Sequence, residues 1–552
     1  MSKRSVHTTR LLLLTATLAL LLASPRASAH IQLPAIFSDH MVLQQKTRAT
    51  FWGWADPGEK VTIQASWSTK SLTTQADPSG KWTLQIPTPS AGGPFVISIK
   101  GDVKSSDSIQ LQDVLVGEVW LCSGQSNMVF SLKGSKNAKE EIAAADFPAI
   151  RYFSVTRQYA SHDFDDSPGA TWEKTTPKTA PGFSAVAYFF ARKIHRQLNV
   201  PVGIVYSAWG GTPAEAWTPA PAMEKDTILT RYFTRWKYIQ DNVGKDSVAW
   251  HEALAKWQQA HPGADSADTQ KTDDQFAPTG DSKKPAEPQT HYYFVRPWRE
   301  PGVLFNGMIQ PVIPYSIKGV LWYQGESNVN YAGEYYRLMN AMIKSWRSHW
   351  GTNNRPANFP FYVVQISAFG YSSLDNAARV REAEYEIMKK IPNTGTAVTV
   401  DLGNMKNIHY TRKQEVGDRL ARVALARDYG DKNLVYKGPE AKKAVAKNGQ
   451  VTVEFEPSAS ALTTSAPGTN AQPIASPTLK GFELGYPAPS GDSLLFAPAN
   501  AKIEGDKIIV WNDQVNNPVE LRYAWLLVAE ANLFDKEGLP AFPFSIKIES
   551  KK

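Results

Sequence analysis

The segment Val119-Trp120-Leu121-Cys122-Ser123-Gly124-Gln125-Ser126-Asn127-Met128 carries the first chemical signal in this chain. An apolar, strand-like run over 114–122 stops at Ser123-Gly124, and Ser126 follows two residues later. This layout puts a serine hydroxyl at the C-terminal edge of a buried strand, where open α/β sheets place their ligand sites. Small neighbours leave room for a substrate carbonyl. Position alone is a weak sign, since serines are common, but two later segments strengthen it. Trp209-Gly210-Gly211-Thr212-Pro213 follows the apolar run 202–208, and Trp322-Tyr323-Gln324-Gly325-Glu326-Ser327-Asn328 follows 319–321. Three strand ends carrying Gly, Asn and Gln supply backbone N–H and side-chain amide donors for an oxyanion, as acyl transfer requires. A fourth segment, Thr399-Val400-Asp401-Leu402, leads through a short loop to Ile408-His409. Ser126 has no base beside it in sequence and needs such a distant histidine brought close by the fold.

With these four blocks in order, the chain resembles the sialate O-acetylesterase family of the SGNH-hydrolase superfamily, esterases that remove acetyl groups from carbohydrates. The matching residues are Gly124-Gln125-Ser126-Asn127-Met128, Trp209-Gly210-Gly211-Thr212, Gln324-Gly325-Glu326-Ser327-Asn328 and Ile408-His409. The resemblance covers most of the chain beyond the N-terminal leader. It implies a three-layer SGNH-type α/β hydrolase domain, an acetyl-enzyme on Ser126, His409 as general base and 9-O-acetylated sialic acid as the substrate. Reaction class follows from such a resemblance better than the identity of the sugar, and acetylated xylan or pectin is a close competitor. A sialic acid carboxylate favours a nearby cation, for which Arg379 and Arg381 are the candidates.

The oxyanion hole is expected from the Ser126 N–H, a glycine N–H at Gly210 or Gly211, and an amide of the 324–328 segment. The two glycines also have a plainer use, a tight strand-to-helix turn. Asn328 either donates directly or holds the loop, and Gln324 is the alternative donor. The third triad member is open. Related hydrolases often carry Asp three residues before the histidine, and that position here is Lys406. Glu326, in a family block on a neighbouring strand end, is favoured over Asp401, and a Ser–His dyad held by a backbone carbonyl is the other alternative. A carboxylate here fixes the histidine tautomer and stabilises its cation.

Positioning these residues takes several elements. Alternating strand and helix patterns over 114–430 imply a parallel sheet with helices on both faces. Strands are expected at 202–208, 320–323, 361–366 and 397–402, and helices at 185–198, 335–350, 377–390 and 412–429. Residues 30–113 read as short strands separated by turn signals, an N-terminal β-sandwich. An insertion over 219–300 opens with a helical half and continues into a polar 261–289 loop, either a substrate-selecting lid or a neutral insertion. Residues 431–552 return to strand-like runs, a second β-rich region expected beside the N-terminal sandwich. Gly491-Asp492-Ser493-Leu494 spells the motif that names many related esterases, yet it lies in this all-β stretch, far from Ser126, and reads as a non-catalytic strand.

Composition sets the outer bounds. The 552 residues need two or three domains. Residues 1–29 have the basic start, apolar stretch and Ala27-Ser28-Ala29 ending of a signal peptide, so export to the periplasm or beyond is expected. Without Lys3, Arg4, Arg10 and Arg26, 56 basic face 52 acidic side chains, too slight and scattered an excess to argue for nucleic acid. No second stretch is long and apolar enough for a membrane span. Cys122 is the only cysteine, which excludes an intrachain disulfide and reads as a buried small hydrophobe. The ten histidines show no close pair at metal-ligand spacing, so neither metal nor cofactor is called for, and oligomeric state is not legible. Competing classes are a catalytically silent glycan-binding protein, against which Ser126 and His409 argue, and a peptidase or lipase, against which the absent Gly-x-Ser-x-Gly elbow argues.

Overall fold

One long strand, Ile109–Gly124 (β1), ties two parts of the molecule together. The computed structural model describes residues 31–102, 108–260, 288–351, 357–456, 461–464 and 478–550. The expected leader and nearly all of the 261–289 loop lie outside the described residues. The first half of β1 pairs antiparallel with Gly92–Gly101 and parallel with Val42–Gln44, within the N-terminal β region. Its second half pairs in parallel with Val202–Ala208 and Gly319–Tyr323. The boundary drawn at 113/114 therefore falls inside a continuous strand. Asp113 marks the joint with a left-handed backbone (φ 52°), and its carboxylate binds Arg151 at 3.0 Å and Lys174 at 2.8 Å.

The central sheet contains β1, Phe147–Ser154 (β2), Trp172–Thr175 (β3), Val202–Ala208 (β4), Gly319–Tyr323 (β5), Phe361–Val364 (β6) and Thr394–Ala397 (β7). Their order is β7-β6-β5-β1-β4-β2-β3, parallel throughout except for β3 at the edge. These strands are apolar on both faces because both faces are covered. Leu121, Val205, Trp322 and Val363 pack in one core, shared with residues of helices Ala332–His349 and Leu374–Lys390. Trp120, Cys122, Ile204, Tyr323 and Tyr362 pack in the other, with helices Ala185–Leu198 and Lys413–Asp428. The domain thus has three layers. Cys122 is fully buried, and burial pushes its thiol pKa up, which suits a packing role.

Two strands end earlier than their sequence suggests, β6 at Val364 and β7 at Ala397. After Ala397 the chain leaves the sheet in a turn in which Leu402 N–H donates to Thr399 O at 3.0 Å. The polar pull of Asp401 toward Arg419 accounts for the departure of an otherwise apolar run. The insertion opens with a short helix, Ala220–Glu224, followed by a 30-residue helix, Arg231–Ala260. Its first turns bury Tyr232 and Trp236, and Arg235 grips Glu334 through bonds of 2.8 and 2.6 Å.

The C-terminal region closes into a seven-stranded barrel. It docks on helix Leu374–Lys390, where the sequence suggested packing beside the N-terminal sandwich. Arg381 donates to Trp525 O at 2.9 Å, and Tyr385 donates to Glu440 at 2.7 Å. Arg381 is therefore a domain-docking residue, and Arg379 pairs with Asp375 at 2.8 Å. Gly491 to Ser493 form the hairpin turn between barrel strands Leu479–Pro487 and Leu494–Glu504, closed by Ala488 N–H on Ser493 O, where a strand was expected.

Candidate active site

Ser126 sits where β1 ends. Gly124 has φ +134°, and a Cβ there would lie 2.1 Å from the carbonyl oxygen of Tyr323. Only glycine allows the strand to turn this close to its neighbour. Gly124→Ala is expected to cost more than about 3 kcal/mol, read as a fall in denaturant midpoint or in soluble yield. After this turn Gln125 N–H donates to Tyr323 O at 2.9 Å, and a short helix, Ser126–Val129, begins. The Gln125 side-chain oxygen accepts from Ser327 N–H at 3.2 Å, joining the first and third sequence blocks. Ser126 Oγ is buried and makes no hydrogen bond to the described residues.

The second block lies against this serine. A Cβ added at Gly210 would sit 3.6 Å from Ser126 Cβ, so this turn faces Ser126 at close range. The turn is pinned on all sides. Thr212 Oγ1 donates to Trp209 O at 2.8 Å, Trp217 Nε1 donates to Thr212 Oγ1 at 2.9 Å, and buried Arg299 donates to Gly211 O. These bonds hold the turn in one conformation, as preorganised oxyanion stabilisation requires of any donor it carries.

Gln324 and Asn328 take up a different task from the one Gln324 was offered. Both amide hydrogens of Gln324 go to protein acceptors, Thr212 O at 3.3 Å and Asn328 Oδ1 at 2.6 Å, and its oxygen accepts from Tyr335 at 3.0 Å. It is a buried brace, with no N–H left for an oxyanion. Asn328 Oδ1 also accepts from Ala214 N–H at 2.9 Å, while Nδ2 donates to Glu215 at 2.8 Å. Asn328 thus holds the loop and keeps a single amide hydrogen in reserve. Burial raises the Glu215 pKa to about 7, against the lowering effect of this bond from Asn328.

The candidate acids separate clearly. Asp401 is locked in a two-point pair with Arg419, at 2.7 Å on each oxygen, and each partner is 7 % exposed. Glu326 is buried and accepts from Asn127 Nδ2 at 2.6 Å. The same Asn127 nitrogen donates to Ile408 O at 3.2 Å, next to His409. The residue following the serine therefore ties the glutamate block to the histidine loop. His409 N–H is held by Asn407 Oδ1 at 2.9 Å, and its ring lies 6.5 Å from that of Phe130. Lys406, in the position of the usual triad acid, is exposed.

The sequence named Asn127 only as part of a motif and passed over Lys413 entirely. Lys413 is fully buried and donates to Asn127 Oδ1 at 2.5 Å. Burial pushes its pKa down to about 7, against the upward pull of Glu326. A lysine at the start of a helix ordinarily reads as solvated, so no local pattern marks this one. Among the described residues no three His, Cys, Asp or Glu side chains are grouped to hold a metal ion.

Similarity to known proteins gives the family. The family model described as carbohydrate esterase, sialic acid-specific acetylesterase, matches residues 116–261 and 294–426. The rat sialate O-acetylesterase is 31 % identical over 76 % of this chain and 78 % of its own length. The mouse protein of the same name is 28 % identical over 91 % of each chain. Among solved structures, a carbohydrate acetylesterase from Xanthomonas citri is 31 % identical, with a TM-score of 0.73 over 94 % of this chain and 99 % of that one. This chain is an esterase and belongs to the sialate O-acetylesterase family of carbohydrate esterases.

Proposed function

We propose that this protein is an exported, SGNH-type serine esterase that removes O-acetyl groups from carbohydrates, with 9-O-acetylated sialic acid as its substrate. One observation carries the reading: Asn127 links Glu326 to the loop of His409 from the position next to Ser126. Export rests on the character of residues 1–29.

In this scheme Ser126 Oγ attacks the acetyl carbonyl as His409 takes its proton. The N–H groups of Ser126 and Gly210 receive the developing oxyanion. Collapse expels the sugar hydroxyl, protonated by His409, and leaves an acetyl ester on Ser126. Water then attacks that ester by the reverse proton path and releases acetate. Glu326 holds the histidine and balances its cation.

The test is acetate release from 9-O-acetyl sialic acid, acetylated xylan and acetylated pectin. Activity on the first supports the sialate reading. Activity confined to the polysaccharides transfers the assignment to an acetylxylan or pectin acetylesterase. Arg157 supplies a sharper discriminator, since Arg379 and Arg381 are engaged elsewhere. Its guanidinium stands 5.8 Å over the Trp209 ring, next to Gly210, and is exposed. Loss of a charge-assisted contact in Arg157→Ala is expected to lower kcat/KM for the sialate about 10-fold or more. Neutral acetylated xylan should change less than about twofold in the same assay.

A further inference from the structure

Lys413 occupies a place that packing alone does not explain. It is the first residue of helix Lys413–Asp428 and is 0 % exposed. Its ammonium lies 3.8 Å from the centroid of the Tyr410 ring, 5.1 Å from that of Phe130 and 5.4 Å from that of Tyr323. Aromatic faces of this kind stabilise a desolvated cation. It donates to Asn127 Oδ1 at 2.5 Å. A buried lysine in an apolar setting is costly, and an alkyl side chain of the same length would serve packing better. The cation therefore has a use beyond filling space.

That use follows from the chemistry of the amide. Below its lowered pKa Lys413 is an ammonium, with donors and no acceptor, so it can then face only the oxygen of Asn127. This fixes the orientation of the amide and turns both Nδ2 hydrogens the other way, onto Glu326 Oε1 and Ile408 O. With the amide reversed, its oxygen would face a carboxylate and a carbonyl, both acceptors. The positive charge also favours the ionised form of Glu326, which is 1 % exposed.

We propose that Lys413, as an ammonium, is a positioning residue of the esterase site: it sets the Asn127 amide and keeps Glu326 a carboxylate, so that the His409 loop stays in register with Ser126. This rests on the Ser126–His409–Glu326 reading above. The titratable groups around Lys413 are Glu326 from the turn after β5, Tyr323 from β5 itself, and His409 and Tyr410 from the loop before the helix. Asp418, with Arg192 and Lys193 of helix Ala185–Leu198 near it, lies farther along the same helix.

The experiment compares Lys413→Met and Lys413→Gln with the parent, measuring kcat and KM for acetate release across pH, with Ser126→Ala alongside. Met removes both donor and charge, whereas Gln retains a donor for Asn127 and removes only charge. In Lys413→Met, kcat should fall about 100-fold with KM within about twofold, since the loss is confined to the chemical step. In both variants the acid limb of the kcat profile should move to higher pH, because losing a nearby cation raises the pKa of Glu326 and of His409 alike. Gln should keep more activity than Met. Should Met fail to fold, the shifted limb in Gln still decides. A folded variant with the parent's kcat and acid limb overturns the proposal. So does one in which kcat falls while the limb stays in place, the mark of a merely structural role. If Ser126→Ala retains activity, the underlying serine reading fails instead.

Discussion

Ser126→Ala should lower acetate release by about 10⁴-fold or more while leaving the fold intact, since loss of a serine nucleophile removes the covalent route and leaves only binding and oxyanion stabilisation. Ser126 Oγ accepts and donates no hydrogen bond among the described residues, so truncation breaks no network. The thermal midpoint should stay within a few degrees of the parent's, and substrate binding should persist. Parallel loss of activity and midpoint would instead assign Ser126 a packing role. The check is acetate release by a coupled assay, beside a thermal melt of the same preparation.

The second large effect separates the two candidate acids. Glu326→Gln preserves shape and an oxygen acceptor for Asn127, yet removes the charge that balances a protonated His409. Replacing a triad carboxylate by its amide typically lowers kcat by about 10²- to 10⁴-fold, and a loss in that range is expected here. Asp401→Asn should behave differently. Its carboxylate makes a buried two-point pair with Arg419, and removing one partner leaves a guanidinium uncompensated. The cost should be about 3–5 kcal/mol of stability, with kcat in the folded fraction within about threefold of the parent's. The opposite pattern, a crippled but stable Asp401→Asn and an active Glu326→Gln, would exchange the roles. Denaturant melts together with kcat for each variant make the comparison.

Much of this was legible in the chain because short apolar runs and helical periodicity are local signals. The helix over 185–198 and the strand over 202–208 were readable to the residue, since helical periodicity marks the first and a short apolar run the second. The serine, the two glycines and the histidine stood in blocks that resemble those of the sialate O-acetylesterase family, and that resemblance, more than their spacing, gave them their expected roles. Three features were hidden for a common reason: they depend on partners distant in sequence. Asp401 appeared as a free acid because nothing local announces Arg419. Gln324 appeared as a donor because its acceptors, Thr212 O and Asn328 Oδ1, are set by the fold. Lys413 drew no notice because the aromatic rings around it come from three separate segments. Closure of the C-terminal barrel was equally out of reach, since the parallel pairing of Ala441–Lys447 with Phe544–Ser550 joins its two ends.

The coupling of the β regions to the catalytic sheet also has a physical consequence. β1 supplies both the N-terminal pairing and the strand end at which Ser126 stands, so the two regions share one continuous backbone. On the other side, Arg381 anchors the barrel to the helix that also carries Glu384, whose carboxylate accepts from Ile366 N–H at 3.0 Å and lies beside Gly325. The domains around the hydrolase core thereby brace the loops that carry its chemistry.

The central claim is that acetyl passes through Ser126. Rapid acid quench of the protein turning over an acetylated substrate, followed by peptide mass spectrometry, tests it most directly. The account predicts one added acetyl group on the peptide containing Ser126, formed during turnover and absent from Ser126→Ala. Steady acetate release with no acetylated peptide in the burst phase, or acetylation mapped to another residue, would contradict it.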